Sequence, residues 1–137
     1  MSFLSLKICE NLYNLISSGY FSNYSDTLPS FQTRFSGRLE SILESVKLKS
    51  KYLNQNIFEI SANYFVSLNR GHPFQNGNKR MSIICTDVFF LTNRYVLSVP
   101  NDVLIKFAVS INVEKESDDE IKAVVTELFQ KYAIIHL

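Results

Sequence analysis

Between two runs of helical hydrophobic spacing sits His72-Pro73-Phe74-Gln75-Asn76-Gly77-Asn78-Lys79-Arg80, which gathers an imidazole, a glycine, side-chain amides and two cations. A loop that feeds a helix N-terminus turns free backbone N–H groups outward, and the helix dipole favours an anion there. Gly77 lets the backbone approach such an anion closely. Asn78 can donate an amide hydrogen bond, and Lys79 and Arg80 bring positive charge into the first helical turn. Two cations at the positive end of a helix are locally unfavourable, and they make better sense if a polyphosphate sits there. His72 comes just before, and a histidine facing a bound phosphate suits a general base for an incoming hydroxyl because the unperturbed imidazole pKa lies near working pH. Phe74 can anchor the loop in the core. Singly, each residue has a plain role, His72 as a helix cap and Lys79 and Arg80 as solvated charges. Together they point to phosphate chemistry.

Those residues need a scaffold, and the hydrophobic spacing is helical nearly throughout. The clearest stripe is Ile121, Val124, Val125, Leu128, Phe129 and Tyr132, preceded by a Ser117-x-x-Glu120 capping box with Asp118 and Asp119 at the positive helix end. A first helix is expected from about Ser5 to Ser18, then an irregular stretch from Tyr20 to Ser36. A second helix follows Gly37, and a third spans about Ile57–Leu68. Gly71 and Pro73 break the pattern before a fourth at about Gly77–Asn93, with Asn93 as a left-handed stop. Ile83 to Leu91 puts apolar residues almost all around that fourth helix, so it belongs at the centre of a bundle. A short fifth helix near Asp102–Val109 precedes the capped sixth. The fold class read from this is all-α, about six helices around a central apolar helix, as one domain over residues 1–137.

Composition narrows the function classes. The 137 residues are 46% hydrophobic, which disfavours a disordered chain, and only 4 Gly and 3 Pro disfavour a turn-rich β-sandwich. With 14 basic and 13 acidic residues the net charge is +1, so no global excess calls for a nucleic-acid or membrane partner. Cys9 and Cys85 are too few for a disulfide framework or a Cys-based zinc site, and both read as buried reduced thiols. Met1 to Lys7 lacks the pattern of a signal peptide, and the richest apolar run is far shorter than a membrane span. A cytoplasmic protein is expected.

The motif His72-x-Phe74-x-x-Gly77-Asn78-x-Arg80 resembles the core motif of the Fic/Doc proteins, which place Asp or Glu before the glycine. Five fixed positions at roughly 5% usage each coincide by chance in about one in 10^4 chains of this length, so the match carries weight. The resemblance is closest to the short Doc (death-on-curing) toxins. Lys79-Arg80 stands where the adenylylating branch has Gly-Arg. Ile57 to Ala62, Asn69-Arg70-Gly71-His72 and Ser36 to Ser41 look like the corresponding Doc segments. The likeness runs from about Gly37 to Tyr132.

By resemblance, His72 deprotonates the hydroxyl of a target protein, Gly77 and Asn78 hold nucleotide phosphates, and Arg80 neutralises their charge. Lys79 would favour an ATP orientation that presents the terminal phosphate, and Arg70 would assist the same site. The implied activity is that of a Doc-like toxin, a kinase-like phosphotransferase that uses ATP with Mg2+ and acts on a threonine of elongation factor Tu. AMP transfer of the Fic type is the alternative, weakened because a second motif arginine is Ile83 here. The implied partner is a small antitoxin whose helical tail adds to the bundle, since no full Ser/Thr-x-x-x-Glu-Gly/Asn inhibitory motif is present. One position departs from the family: its acidic Mg2+ ligand is Asn76 here. An amide oxygen lacks the charge that hard cations prefer. Three readings follow: a slower kinase, an enzyme borrowing another carboxylate, or a silenced protein that binds nucleotide or partner only. Asp87 lies more than two helical turns away and is a poor substitute. His136 and the cluster Glu114, Glu116, Asp118, Asp119 and Glu120 read as solvated surface, and Phe89-Phe90 as core.

Overall fold

The computed structural model describes residues 1–18 and 28–136. Ser5 opens α1 (Leu6–Ser17), its side chain accepting from the Ile8 N–H. The stretch expected to be irregular lies outside the described residues up to 27. From Leu28 it is irregular apart from a single 3-10 turn at Phe31–Thr33. Gly37, at φ 78°, turns the chain into α2 (Arg38–Tyr52). A capping box starts α3 (Ile57–Arg70): Asn56 accepts from Glu59 N–H, and the Glu59 carboxylate accepts from Asn56 N–H. Then come α4 (Asn78–Thr92), β1 (Tyr95–Leu97), α5 (Asn101–Val113), α6 (Asp118–Tyr132) and β2 (Ala133–Ile135). The fifth helix thus runs one turn beyond its expected end.

Helix α4 is buried nearly all round, as its sequence requires, but it does not stand alone at the centre. Its neighbour α3 is buried to the same degree, and the two pack as the central pair. Rings seal the junction with α6: Phe129 meets Phe65 and Phe90 edge-on, both at 5.5 Å between centroids. Such pairs add about 0.5–1.5 kcal/mol each beyond their buried area. Cys9 and Cys85 are buried free thiols. A hydrogen bond with Cys9, and then burial, hold the Cys85 thiol well above its ordinary pKa.

Two local expectations are corrected. Asn93 has φ −108°, and the left-handed residue is Arg94 at 68°. The Asn93 amide is used otherwise: it bonds both backbone groups of Ser2 and the Phe89 carbonyl, tying the first residues to the end of α4. Ser117 does cap α6, accepting from Glu120 N–H, but the Glu120 carboxylate accepts from the Ser117 hydroxyl rather than from a backbone N–H. The helical pattern also hid a small antiparallel sheet, β1 with β2, paired Tyr95 to Ile135 and Leu97 to Ala133. Among the described residues no helix is long and apolar enough to cross a membrane.

Candidate functional site

The loop between α3 and α4 is built from its core outward. Phe74 is 1% exposed and stacks on Tyr13 at 4.9 Å, with Phe31 6.0 Å away. That anchor leaves the flanking residues at the surface. Asn78, also buried, then locks the loop: its Oδ1 accepts from Phe74 N–H at 2.9 Å, and its Nδ2 donates to Phe74 O at 3.0 Å. One side chain thus closes a five-residue turn in both directions. Outside bonds hold the loop's other edge. Phe35 N–H donates to Pro73 O, Arg38 to His72 O and Gln75 to Thr33 O.

His72 and every residue from Gln75 to Arg80 line one cleft of about 290 Å³, with Val109 of α5 as its far wall. His72 is exposed and carries φ 46°. A side chain in the left-handed region costs about 1–2 kcal/mol, a strain that the flanking bonds hold in place. Its Nδ1 lies 3.4 Å from Asn78 Nδ2. The two bonds to Phe74 orient that amide, and whether the ring nitrogen accepts from it follows from the tautomer. At that length the contact does not lock the tautomer.

Gly77 caps α4 at φ 87° with no side chain, and the space a Cβ would need is taken by Leu28, 3.1 Å away. The Gly77 N–H donates to Asn76 Oδ1 at 2.8 Å. Arg80 is buried at 6% exposure and Lys79 half-buried, so neither is a plain solvated charge. Burial raises the Tyr13 phenol pKa, and the Arg80 charge pulls it part of the way back.

The structure brings together His72, Asn76, Gly77, Asn78, Lys79 and Arg80, and leaves Arg70 out. The Arg70 guanidinium turns to the connection between α5 and α6, where it bonds the carbonyls of Glu114 and Glu116 and pairs with Asp118 at 3.3 Å. Asn78, expected to hold phosphate through its side chain, spends that side chain on the loop, which leaves backbone N–H groups for an anion. Asp87 is half-buried on α4 away from the cleft, its carboxyl pushed up to about 6 by burial. Two residues escaped the sequence reading. Val109 is 48% exposed on α5, off the buried stripe of Leu104, Ala108 and Ile111. Asn69, fully buried, donates to Ala108 O at 2.8 Å and accepts from Asn112, holding α5 beside the loop.

The cleft is a poor metal site as it stands. No carboxylate lines it, and among the described residues no cluster of three or more His, Cys, Asp or Glu is placed to hold an ion. Asn76 offers one neutral oxygen, already accepting from Gly77.

A family model described as Fic/DOC family matches residues 4–90. The match takes in α1 and the whole loop, reaching further toward the N-terminus than the motif likeness did, and it leaves α5 and α6 outside. No curated protein matches the chain.

Proposed function

Since this chain belongs to the Fic/DOC family, we propose that it is a Doc-like transferase moving the terminal phosphoryl group of ATP to a protein hydroxyl. The observation that carries the reading is one cleft holding His72, the open N-terminus of α4, Lys79 and Arg80. The target hydroxyl oxygen attacks the terminal phosphorus, the bond to the bridging oxygen breaks, and ADP leaves. His72 takes the hydroxyl proton on its unprotonated ring nitrogen. Lys79 and Arg80 offset charge on the phosphates, the main task in phosphoryl transfer. Asn78 acts on His72 by position, through the turn it closes. By family likeness the target is a threonine of elongation factor Tu, and a small antitoxin with a helical tail restrains the enzyme. Mg2+ does not fit the donor set well, since the cleft has no carboxylate and the Asn76 oxygen already accepts from Gly77.

The misfit at Asn76 favours a second reading, a nucleotide-binding protein without turnover. One experiment separates these. The protein is incubated with a bacterial lysate and ATP labelled at the α or the γ position, beside His72→Gly, which removes the imidazole where a glycine backbone is at ease. Label from γ on one band, absent with His72→Gly, is expected. Label from α alone would move the assignment to AMP transfer. ATP binding with no transfer of either label would leave the silent reading.

A further inference from the structure

The cleft and a divalent cation disagree over one group: Asn76 carries an amide where a carboxylate would serve. We propose that Asn76 is a modification site at which the chain's own backbone converts the amide to a carboxylate. The chemistry stands apart from the functional reading above, and only its consequence for ATP rests on that reading.

The reactants are adjacent. Gly77 N donates to Asn76 Oδ1 at 2.8 Å, so this nitrogen lies next to the carboxamide carbon. When the N–H loses its proton, the nitrogen attacks Cγ, a new N–Cγ bond closes a five-membered imide, and the Cγ–Nδ2 bond breaks to release ammonia. Water then adds at Cγ and reopens the new bond, which leaves aspartate at 76 and restores the Gly77 N–H. Opening on the other side gives isoaspartate. The net change is one water consumed and one ammonia released, with no redox partner.

Three features favour the reaction here. Asn76 is the only asparagine in the chain followed by glycine, which puts no side chain over the attacking nitrogen. Asn76 is half-buried and lines the cleft, so water reaches it. The N-terminus of α4 with Lys79 and Arg80 makes the surroundings positive, which stabilises both the deprotonated nitrogen and the oxyanion formed at Cγ. The resistance comes from Asn76 itself, whose ψ and χ1 must turn to bring Cγ onto the Gly77 nitrogen, and a following glycine, without a Cβ, leaves that approach unhindered. The product restores a negative charge at the position where the motif ordinarily has one.

The test follows fresh full-length protein held at physiological temperature and mildly alkaline pH, by intact mass and peptide mapping against synthetic aspartyl and isoaspartyl standards. A free peptide covering residues 70–82 and the variant Asn76→Gln run beside it. Conversion at Asn76 ahead of every other asparagine, at a rate within about tenfold of the peptide's, is expected. An Asn76 more than about tenfold slower than the peptide, or an isoaspartate product alone, overturns the proposal. Fresh and aged samples are then titrated with ATP and Mg2+, with Asn76→Asp as reference. Mg2+-dependent ATP affinity rising with the converted fraction, about tenfold at completion, supports the metal role. Conversion without that rise refutes the metal role and the ATP reading at this position, while the modification itself stands.

Discussion

Replacing Asn76 by Asp perturbs the helix start in a way the geometry makes calculable. The first turn of α4 has no acidic residue, its N-cap is a glycine, and the Asn76 side chain accepts from the cap N–H, 2.8 Å from Gly77 N. A carboxylate there turns a neutral hydrogen bond, about 1 kcal/mol, into a charge-assisted one, about 1.5–3 kcal/mol. It also adds about 0.3–1 kcal/mol against the helix dipole. The position is half-buried, so part of this is screened, and we predict a net gain of about 1 kcal/mol. In a domain of this size that raises the melting temperature by about 3 °C. The folded state depresses the new carboxyl's pKa below the ordinary value near 3.9, so the gain is present above that value and lost as pH falls through the folded pKa. Thermal melts of both proteins at about pH 7 and about pH 3 read the difference directly. Equal melting temperatures at neutral pH would refute the geometry at the cap. Transfer rates against Mg2+ provide the functional half: a wild-type rate saturating at low Mg2+, and falling in Asn76→Asp, would mean that the site is built around the amide.

Gly77→Ala should destabilise by about 1–2 kcal/mol, because alanine at φ 87° is strained and its methyl would press on Leu28 at 3.1 and 3.3 Å. Urea unfolding measures the cost, and an unchanged midpoint would show that the loop relaxes freely. Asp87→Asn probes a buried carboxyl whose pKa is raised from 3.8 to about 6 by burial. Between those values the folded state binds more protons than the unfolded chain, so wild-type stability falls as pH rises. The variant lacks that loss and should be more stable at about pH 7 by up to about 3 kcal/mol, with the gap closing near pH 4. A gap that is the same at both pH values would place the effect in packing rather than charge.

Local signals were legible wherever one segment carries its own information. The Ser5 and Ser117 starts and Phe74 as the loop's anchor follow from spacing and residue type and stand in the structure, as does the stripe of α6 except at Val124, which is 56% exposed because the helix buries only the narrower line of Ile121, Val125 and Phe129. The Asn56-x-x-Glu59 box was equally readable and passed over. What escaped depends on pairs distant in the chain. Tyr95 to Leu97 forms a strand only because residues 133–135 return beside it. Val109 becomes a cleft wall only because Asn69, 39 positions from Ala108, fastens α5 there. Arg70 sits two residues before the motif histidine, yet its guanidinium finds carbonyls of the α5–α6 connection that no local pattern announces.

The fastening of α5 can be restated in mechanical terms. This helix is supported like a beam, at one end through the clasp of β1 and β2 before Pro100, and at the other by Arg70 on residues 114, 116 and 118. Asn69 adds a third support near midspan, one residue before Val109. A beam held at both ends deflects much less than one held at a single end, so the gap between Val109 and the loop of residues 75–80 is a dimension of the resting fold. Bulk that exceeds the gap is refused by stiffness rather than by loss of attraction. Arg70 thereby bears on the position of Val109 from outside the cleft, by fixing the far end of the helix that carries it.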